Sequence, residues 1–445
     1  MAVGGLAGVY AGIKYAKCIL FRQAKPPACL VPRESSHFAN FSGAWQAPGK
    51  SYFCPPMVYK VIGLMSGSSL DGLDIAYVHL QERLATRQAP KGWDFELVKA
   101  DCYPYSDDWR GRLAAARGLS ALDYQLLHVE YGRYLGEQVL RFVRENGLEY
   151  QVQLVVSHGH TVFHEVGRHM TAQLGDGAAL AASARVNVVS DLRAMDVALG
   201  GQGAPIVPIG EMLLLQEYAL FLNLGGIANV SRAGFGAFDV CPANRVLNEL
   251  AADEGQPYDA GGALAAGGSV DAELLGRLNA LPYYGQKYPK SLANEFGTET
   301  VLPLIGQAMI NSGGRLTTAD ALRTYTQHIA EQVGRAVRLL LVEGVTEGTT
   351  ERSIAPTAGA SGAGRLLVTG GGAHNTFLIG RLREVLGDTG VEVVVPDTGL
   401  VDYKEALIMA LIGVLRWREE NNVLASVTGA SRDSIGGAVW IGQEA

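Results

Sequence analysis

The chain has 445 residues, 48% hydrophobic and 18% charged, with a net charge of -7; it is too apolar for disorder and long enough for two packed domains. No dense Lys/Arg block occurs in it, which argues against a nucleic-acid partner, because neutralising phosphates needs a basic face. Five cysteines (Cys18, Cys29, Cys54, Cys102, Cys241) show no C-x-x-C spacing, so neither a disulfide framework nor a cysteine zinc knuckle is indicated, and a reducing cytoplasm is the expected location.

Residues 1–56 read differently from the rest. The apolar stretch before Lys14 is only about a dozen residues, short of the ~20 a membrane helix needs, and its cations lie on the wrong side for an export signal. Neither a membrane partner nor export is expected. Residues 23–56 are rich in Pro, Ser and Gly and have no helical or strand period, so this segment reads as an irregular N-terminal extension.

From Met57 onward strands and helices alternate, the pattern of an α/β fold. "MVYKVIGLM" and "LDIAYVHL" form a hairpin around Ser66-Gly67-Ser68-Ser69, with Asp71 and Asp74 just after the turn. A helical period runs through "ALDYQLLHVEYGRYLGEQVLRFVREN", and "VQLVVSHG" is a short buried strand carrying His158 at its end. "VNVVS" is a further strand, with Asp191 just beyond Ser190; polar residues where buried strands stop are where α/β proteins place chemistry. The second half repeats the first: "YALFLNLGGIANVSR" is again strand, glycine turn and strand, followed by strand, glycine turn and helix in "RLLVTGGGAHNTFLIGRLREVLG". In "EALIMALIGVLRW", Ala406, Ala410 and Gly413 lie on one helical face that can approach another backbone closely, which suits an interdomain contact.

Glycines and serines in a tight hairpin expose N–H groups and hydroxyls that can cradle phosphate oxygens, while a nearby aspartate can hold Mg2+ through water. The opening hairpin therefore reads as a phosphate clamp, although a purely structural Ser/Gly turn has the same composition. It lacks G-x-x-x-x-G-K-[ST], and a hairpin in place of a strand-to-helix turn excludes a P-loop. Asp191 has two readings, a functional carboxylate or an N-cap for the helix starting "LRAMD", with Asp196 a weaker competitor for base. His158, His160 and His164 are spaced closely enough for a metal site, but no H-E-x-x-H pattern accompanies them, and His158 and His160 are taken as substrate hydrogen-bond partners.

Four motifs in order, "GLMSGSSLDGLDIA", "DLRAMDVALGGQGAP", "NLGGIANVS" and "GGGAHN", resemble the 1,6-anhydro-N-acetylmuramic acid kinases, relatives of the sugar kinase, actin and heat-shock ATPase superfamily. The resemblance runs from about residue 58 to the C-terminus. It implies two duplicated ribonuclease H-like (actin-like ATPase) domains around an interdomain cleft: 57–205 plus about 402–445, and 206–401. By position it implies ATP-binding roles for Gly67, Ser68, Ser69, Leu70, Asp71, Gly72, Leu73 and Asp74, for Gly225 and Gly226, and for Gly370, Gly371 and Gly372. It further implies Mg2+ at Asp71, Asp191 as catalytic base, and Gln202 and Gly203 at the sugar. The family's reaction adds water across the 1,6-anhydro bond and phosphorylates O6.

Two departures bear on specificity: "DVCPAN", Asp239 to Asn244, where many members carry "DTGPGN", and "KSLANE", Lys290 to Glu295, in place of "KSTGRE". They keep a related anhydrosugar such as levoglucosan open as the substrate. A non-catalytic ATP-driven binding module and an ATP-independent glycoside hydrolase are the alternatives of other classes. Oligomeric state is not legible, with a homodimer one candidate assembly.

Overall fold

The computed structural model describes residues 57–67, 70–86, 91–232, 236–287, 290–293, 295–346 and 364–442. The N-terminal 56 residues, Ser68, Ser69 and Asn294 lie outside these, as do the expectations that fall on them.

Thirteen strands occur among the described residues: β1 (Val58–Ser66), β2 (Gly72–Arg83), β3 (Gly92–Pro104), β4 (Leu154–Ser157), β5 (His160–Glu165), β6 (Met170–Leu174), β7 (Val188–Ser190), β8 (Leu220–Leu224), β9 (Ile227–Arg232), β10 (Gly236–Pro242), β11 (Arg365–Thr369), β12 (Glu392–Val394) and β13 (Ala438–Trp440). They form a six-stranded sheet in the order β13-β7-β4-β1-β2-β3, a five-stranded sheet β10-β9-β8-β11-β12, and the hairpin β5-β6. The two large sheets share a plan. Each starts with a three-stranded antiparallel meander, β1 to β3 and β8 to β10, and continues from the meander's first strand with two parallel strands, β4 and β7 or β11 and β12. The repeat of strand, glycine turn and strand expected in the two halves is present as the β1–β2 and β8–β9 hairpins.

The apolar runs follow from burial on both faces. In β1 and β2, Ile62, Leu64, Ile75 and Tyr77 pack with Tyr131, Leu135, Val139 and Phe142 of the helix Ala121–Glu145. The alternate residues Val61, Ala76, Val78 and Leu80 share a second core with the helix Thr398–Trp417. A strand covered on both sides reads as continuous hydrophobicity in place of alternation. Both helices start on side-chain caps, Ser120 accepting from the Asp123 N–H and Asp397 from that of Leu400. The five-stranded sheet buries Leu220, Leu222, Leu224, Leu366 and Val368 against the long helix Thr318–Thr346. Its alternate residues Phe221 and Leu367 join the core of the helix Thr398–Trp417, which therefore contacts both sheets.

The small residues of that helix face the six-stranded sheet, which differs from the interdomain contact expected of them. A Cβ on Gly63 of β1 would overlap the Ala406 carbonyl oxygen, and one on Gly413 would overlap the side chain of Val156 in β4. Contact with the other sheet passes instead through Val401, Asp402, Lys404 and Glu405.

This packing makes a test. Gly63→Ala should cost about 1–3 kcal/mol in urea unfolding, the range for overpacking a filled core. Gly111→Ala, exposed in the helix Asp107–Ala115 with nothing within 4 Å of the added methyl, should leave stability unchanged or raise it by up to about 1 kcal/mol. Equal midpoints for the two variants would contradict the close helix-to-strand approach.

Candidate active site

The first glycine turn joins β1 to β2 and is anchored from below. Ser66 accepts hydrogen bonds from Tyr105 Oη (2.9 Å) and Tyr131 Oη (3.0 Å), both buried, which fixes the backbone entering the turn. Leu70 holds a left-handed backbone, φ 59°, a conformation that costs energy in a non-glycine residue and clusters at functional sites. Asp71 is exposed, whereas Asp74 is half-buried. Its carboxyl is raised to about 6, by burial first, and further by the nearby charges of Glu405, Asp402 and Asp71, against the opposing bond from Cys102. Glu405 is itself raised, chiefly by burial.

Asp191 follows β7 and is the second left-handed residue of the site, φ 57°. Its Oδ2 accepts from Ser190 Oγ at 2.7 Å, and Ser190 Oγ accepts from the Trp440 indole N–H at 3.0 Å, so β13 buttresses the carboxylate through one hydroxyl. The capping alternative fails: the next helix is Ala194–Ala198, its cap is Arg193, and no side chain caps it. Asp196 is occupied structurally. It is fully buried and accepts from the Gly203 N–H (2.7 Å) and Thr428 Oγ1 (2.6 Å), which shapes the Gly200–Gly203 loop.

Both ring nitrogens of His158 are engaged within the chain: Nδ1 bonds the Gly159 carbonyl at 2.8 Å and Nε2 accepts from Arg193 Nε at 2.8 Å. Burial and the adjacent guanidinium push His158 down to about 3, so the ring is neutral. Arg193 Nη1 donates to the Gly203 carbonyl, and burial lowers this guanidinium to about 10 while Glu405 and Asp196 oppose the shift. His160 differs from His158. Burial lowers it, its ring bonds the Gly67 backbone, and its Nδ1 is buried with no partner among the described residues. Gln202 is exposed and Gly203 buried.

The second and third glycine turns adjoin. Asn244, retained in "DVCPAN", donates from Nδ2 to the Leu224 carbonyl at 2.9 Å, and its side chain lies 3.0 Å from a Cβ placed on Gly372 and 3.6 Å from one on Gly371. Gly370, at φ 81°, presses its Cα face on Asn223 and Leu224, where a side chain would not fit. Packing does not demand glycine at 225 and 226: an added Cβ would meet nothing closer than 3.5 Å and 3.9 Å, so bare backbone there leaves a cradle. The helix Thr398–Trp417 joins this side to the first turn: Gly370 N–H donates to the Val401 carbonyl (3.0 Å), His374 Nε2 pairs with Asp402 (2.6 Å), and Asn223 Nδ2 donates to Glu405 (3.3 Å).

Contacts thus connect Arg193, His158, Gly203, Glu405 and the glycine turns, while Asp191 is held separately through Ser190 and Trp440. Arg193, Ser190, Trp440, Asp402 and Glu405 were not singled out from sequence. Only "DLR" and the run "DYKEA" hinted at them, and their roles arise from contacts between distant segments. Among the described residues, no group of three or more His, Cys, Asp or Glu is placed to hold a metal ion, and no helix is long and apolar enough to cross a membrane.

The anhydro-N-acetylmuramic acid kinase family model matches residues 59–442. The anhydro-N-acetylmuramic acid kinase of Gloeobacter violaceus is 33% identical over 83% of this chain and 96% of its own. Its counterpart in Rhodococcus erythropolis is 34% identical over 86% of this chain and 94% of its own. Among solved structures, the activator of the 2-hydroxyisocaproyl-CoA dehydratase from Clostridium difficile with bound ADPNP is similar over 82% of this chain and 96% of that one, at 12% identity and a TM-score of 0.38, a likeness that assigns no residue. A match that takes in every strand of both large sheets but the first residue of β1, with a third of positions shared along four fifths of the chain, means that this protein belongs to the anhydro-N-acetylmuramic acid kinase family.

Proposed function

We propose that the protein is an ATP-dependent kinase that opens the 1,6-anhydro ring of 1,6-anhydro-N-acetylmuramic acid with water and phosphorylates O6, giving N-acetylmuramic acid 6-phosphate. Its setting is cytoplasmic cell-wall sugar recycling. The observation that carries this reading is Asp191: a carboxylate on a strained left-handed residue at a strand end, buttressed through Ser190 and used for no cap. Asp191 accepts a proton from water as the water oxygen bonds C1. The C1–O bond of the bridge breaks, its electrons stay on the oxygen attached to C6, and that oxygen attacks the γ-phosphorus of ATP as ADP departs. General-base help of this kind is worth ~10^2 to 10^4 in rate. The leaving oxygen needs no acid, because phosphoryl transfer captures it.

ATP lies against Gly67–Asp74, Gly225–Gly226 and Gly370–Gly372, and the open cradle at 225 and 226 supports this placement. The sugar is met by Gln202, Gly203 and the unpartnered Nδ1 of His160, with His158 acting through Arg193. Asp71 would hold Mg2+. An all-protein cage is not expected, since Mg2+ keeps waters and phosphate oxygens as ligands; when bound it neutralises charge on the transferring phosphoryl group. The shared strand order of the two sheets supports two related domains, 57–205 plus about 402–445 and 206–401, that close across the cleft to exclude water. A homodimer remains the candidate assembly, and levoglucosan the alternative substrate if the "DVCPAN" and "KSLANE" changes have reshaped the sugar site.

Incubation with ATP-Mg2+ and a panel of anhydrosugars tests the reaction. The expected result is phosphorylated product from 1,6-anhydro-N-acetylmuramic acid in excess over levoglucosan. Ring opening without ATP would replace the kinase reading by a hydrolase.

Asp191→Asn should fold and bind ATP normally while turnover falls about 10^2-fold or more, as for loss of a general base. A folded variant that turns over near the parent rate would remove the assignment.

Asp74 gives a pH test. Because its carboxyl is raised from 3.8 to about 6, the folded state holds a proton that the unfolded chain has released, so its ionisation lowers stability as pH rises from 3.8 to about 6. A divalent cation beside Asp71 favours the ionised form. Calorimetric affinity for Mg2+-ADP should therefore rise as pH increases through about 6 and level off above it, and Asp74→Asn should flatten that rise.

A further inference from the structure

Arg245 is the first side chain after Asn244 in the helix Asn244–Ala252. Its guanidinium lies beside the second glycine turn: a Cβ placed on Gly226 would sit 3.9 Å from Arg245 Cβ and 4.0 Å from Nε. Nε is buried and makes no hydrogen bond among the described residues, and no carboxylate there pairs with the guanidinium. A fixed cation with a desolvated, unpartnered donor is costly unless something supplies the acceptor. On its other side it packs on Gly297, whose added Cβ would be 3.7 Å from Arg245 Cδ, so the stem is held in place by protein while Nε has no hydrogen-bond partner among the described residues.

The carbonyls of the turn are already engaged within the chain. The carbonyls of Gly225 and Gly226 already accept from the Asn244 and Ala243 N–H groups, and the Leu224 carbonyl accepts from Asn244 Nδ2. With those oxygens used, the acceptor that fits is an anion seated on Gly225–Gly226. Guanidinium suits phosphate oxygens better than ammonium does, because its planar donors can pair with two of them.

We propose that Arg245 binds a phosphate of the nucleotide and is a determinant of affinity for nucleoside diphosphates and triphosphates. This rests on the reading of Gly225–Gly226 as a nucleotide cradle and adds the residue that reads the nucleotide's charge there. Arg245 acts on binding, and the water attack at Asp191 does not involve it.

Titration calorimetry of the full chain with ADP and with adenosine, in the parent, Arg245→Gln and Arg245→Lys, tests the assignment. A charge-assisted hydrogen bond lost from a partly buried site should weaken ADP by about 10-fold or more in Arg245→Gln. Adenosine affinity should stay within about twofold, since it carries no phosphate for the guanidinium to reach. Arg245→Lys should fall between parent and Gln, and the ADP affinity of Arg245→Gln should depend less on salt than the parent's. Unliganded melting temperatures verify that the variants fold. A parent that binds ADP alongside a folded Arg245→Gln that binds it equally overturns the role of Arg245 and leaves the cradle standing. Equal losses for ADP and adenosine also overturn it, because they mark a general distortion. A parent that binds no ADP overturns the cradle reading and this assignment together.

Discussion

Lys404 and Glu211 meet at 2.8 Å with only 4% of either side chain exposed, and Glu211 also accepts from Ser231 Oγ at 2.6 Å. The ammonium additionally lies over the Phe221 ring. Three segments are tied by this one buried charge pair: the helix Thr398–Trp417, the helix Pro208–Leu214 and β9. Such a pair is weak evidence for stability, but losing one partner leaves an uncompensated buried charge, which typically costs about 3–5 kcal/mol. Its geometric effect is to fix the rotation of the helix Thr398–Trp417. With Lys404 pointing at Glu211, the neighbouring Asp402 and Glu405 are brought to His374 and Asn223, and the opposite small face is left to seat on Gly63 and Val156.

Charge in the site is sorted by that same placement. Asp71, Asp74, Asp402 and Glu405 gather near the first turn, and mutual repulsion adds to burial in raising Asp74. The cations Arg193 and Arg245 stand apart from one another, the first bonded to His158 and the Gly203 carbonyl, the second beside Gly226. Arg193 keeps its charge in a buried setting because Glu405 and Asp196 oppose the cost of burial. Asp191 belongs to neither group. Its Oδ2 is bonded by one neutral hydroxyl, which orients the carboxylate without cancelling its charge.

Local chemistry made much of this legible in sequence. The hairpins around residues 67 and 225, the strand ends at His158 and Asp191 and the helix after Ser120 follow from period, glycine and caps, which act over a few residues. What stayed hidden depends on pairings across the chain. Asp191 reads equally well as a cap until the actual helix start at Ala194 is known. Three clustered histidines look alike in sequence, yet His158 is saturated by Arg193 and Gly159 whereas His160 keeps an unpartnered nitrogen. The small residues of "EALIMALIGVLRW" announce a close approach but cannot name its target, which is the six-stranded sheet. Trp440, 250 positions from Ser190, has no local signal at all.

The central position of the helix Thr398–Trp417 also sets an order of events during folding. The β1–β2–β3 meander is local and can form early, but the cover for one of its faces comes from the far end of the chain, as does Arg418, which reaches Glu82 across 336 positions. Closing so large a loop is entropically slow compared with forming hairpins. Until it closes, Val61, Ala76, Val78 and Leu80 face water on a sheet with no lid, the kind of exposed apolar surface that makes intermediates of larger proteins associate. The nascent chain is therefore at its stickiest after its first sheet has formed and before residue 398 has been delivered to it.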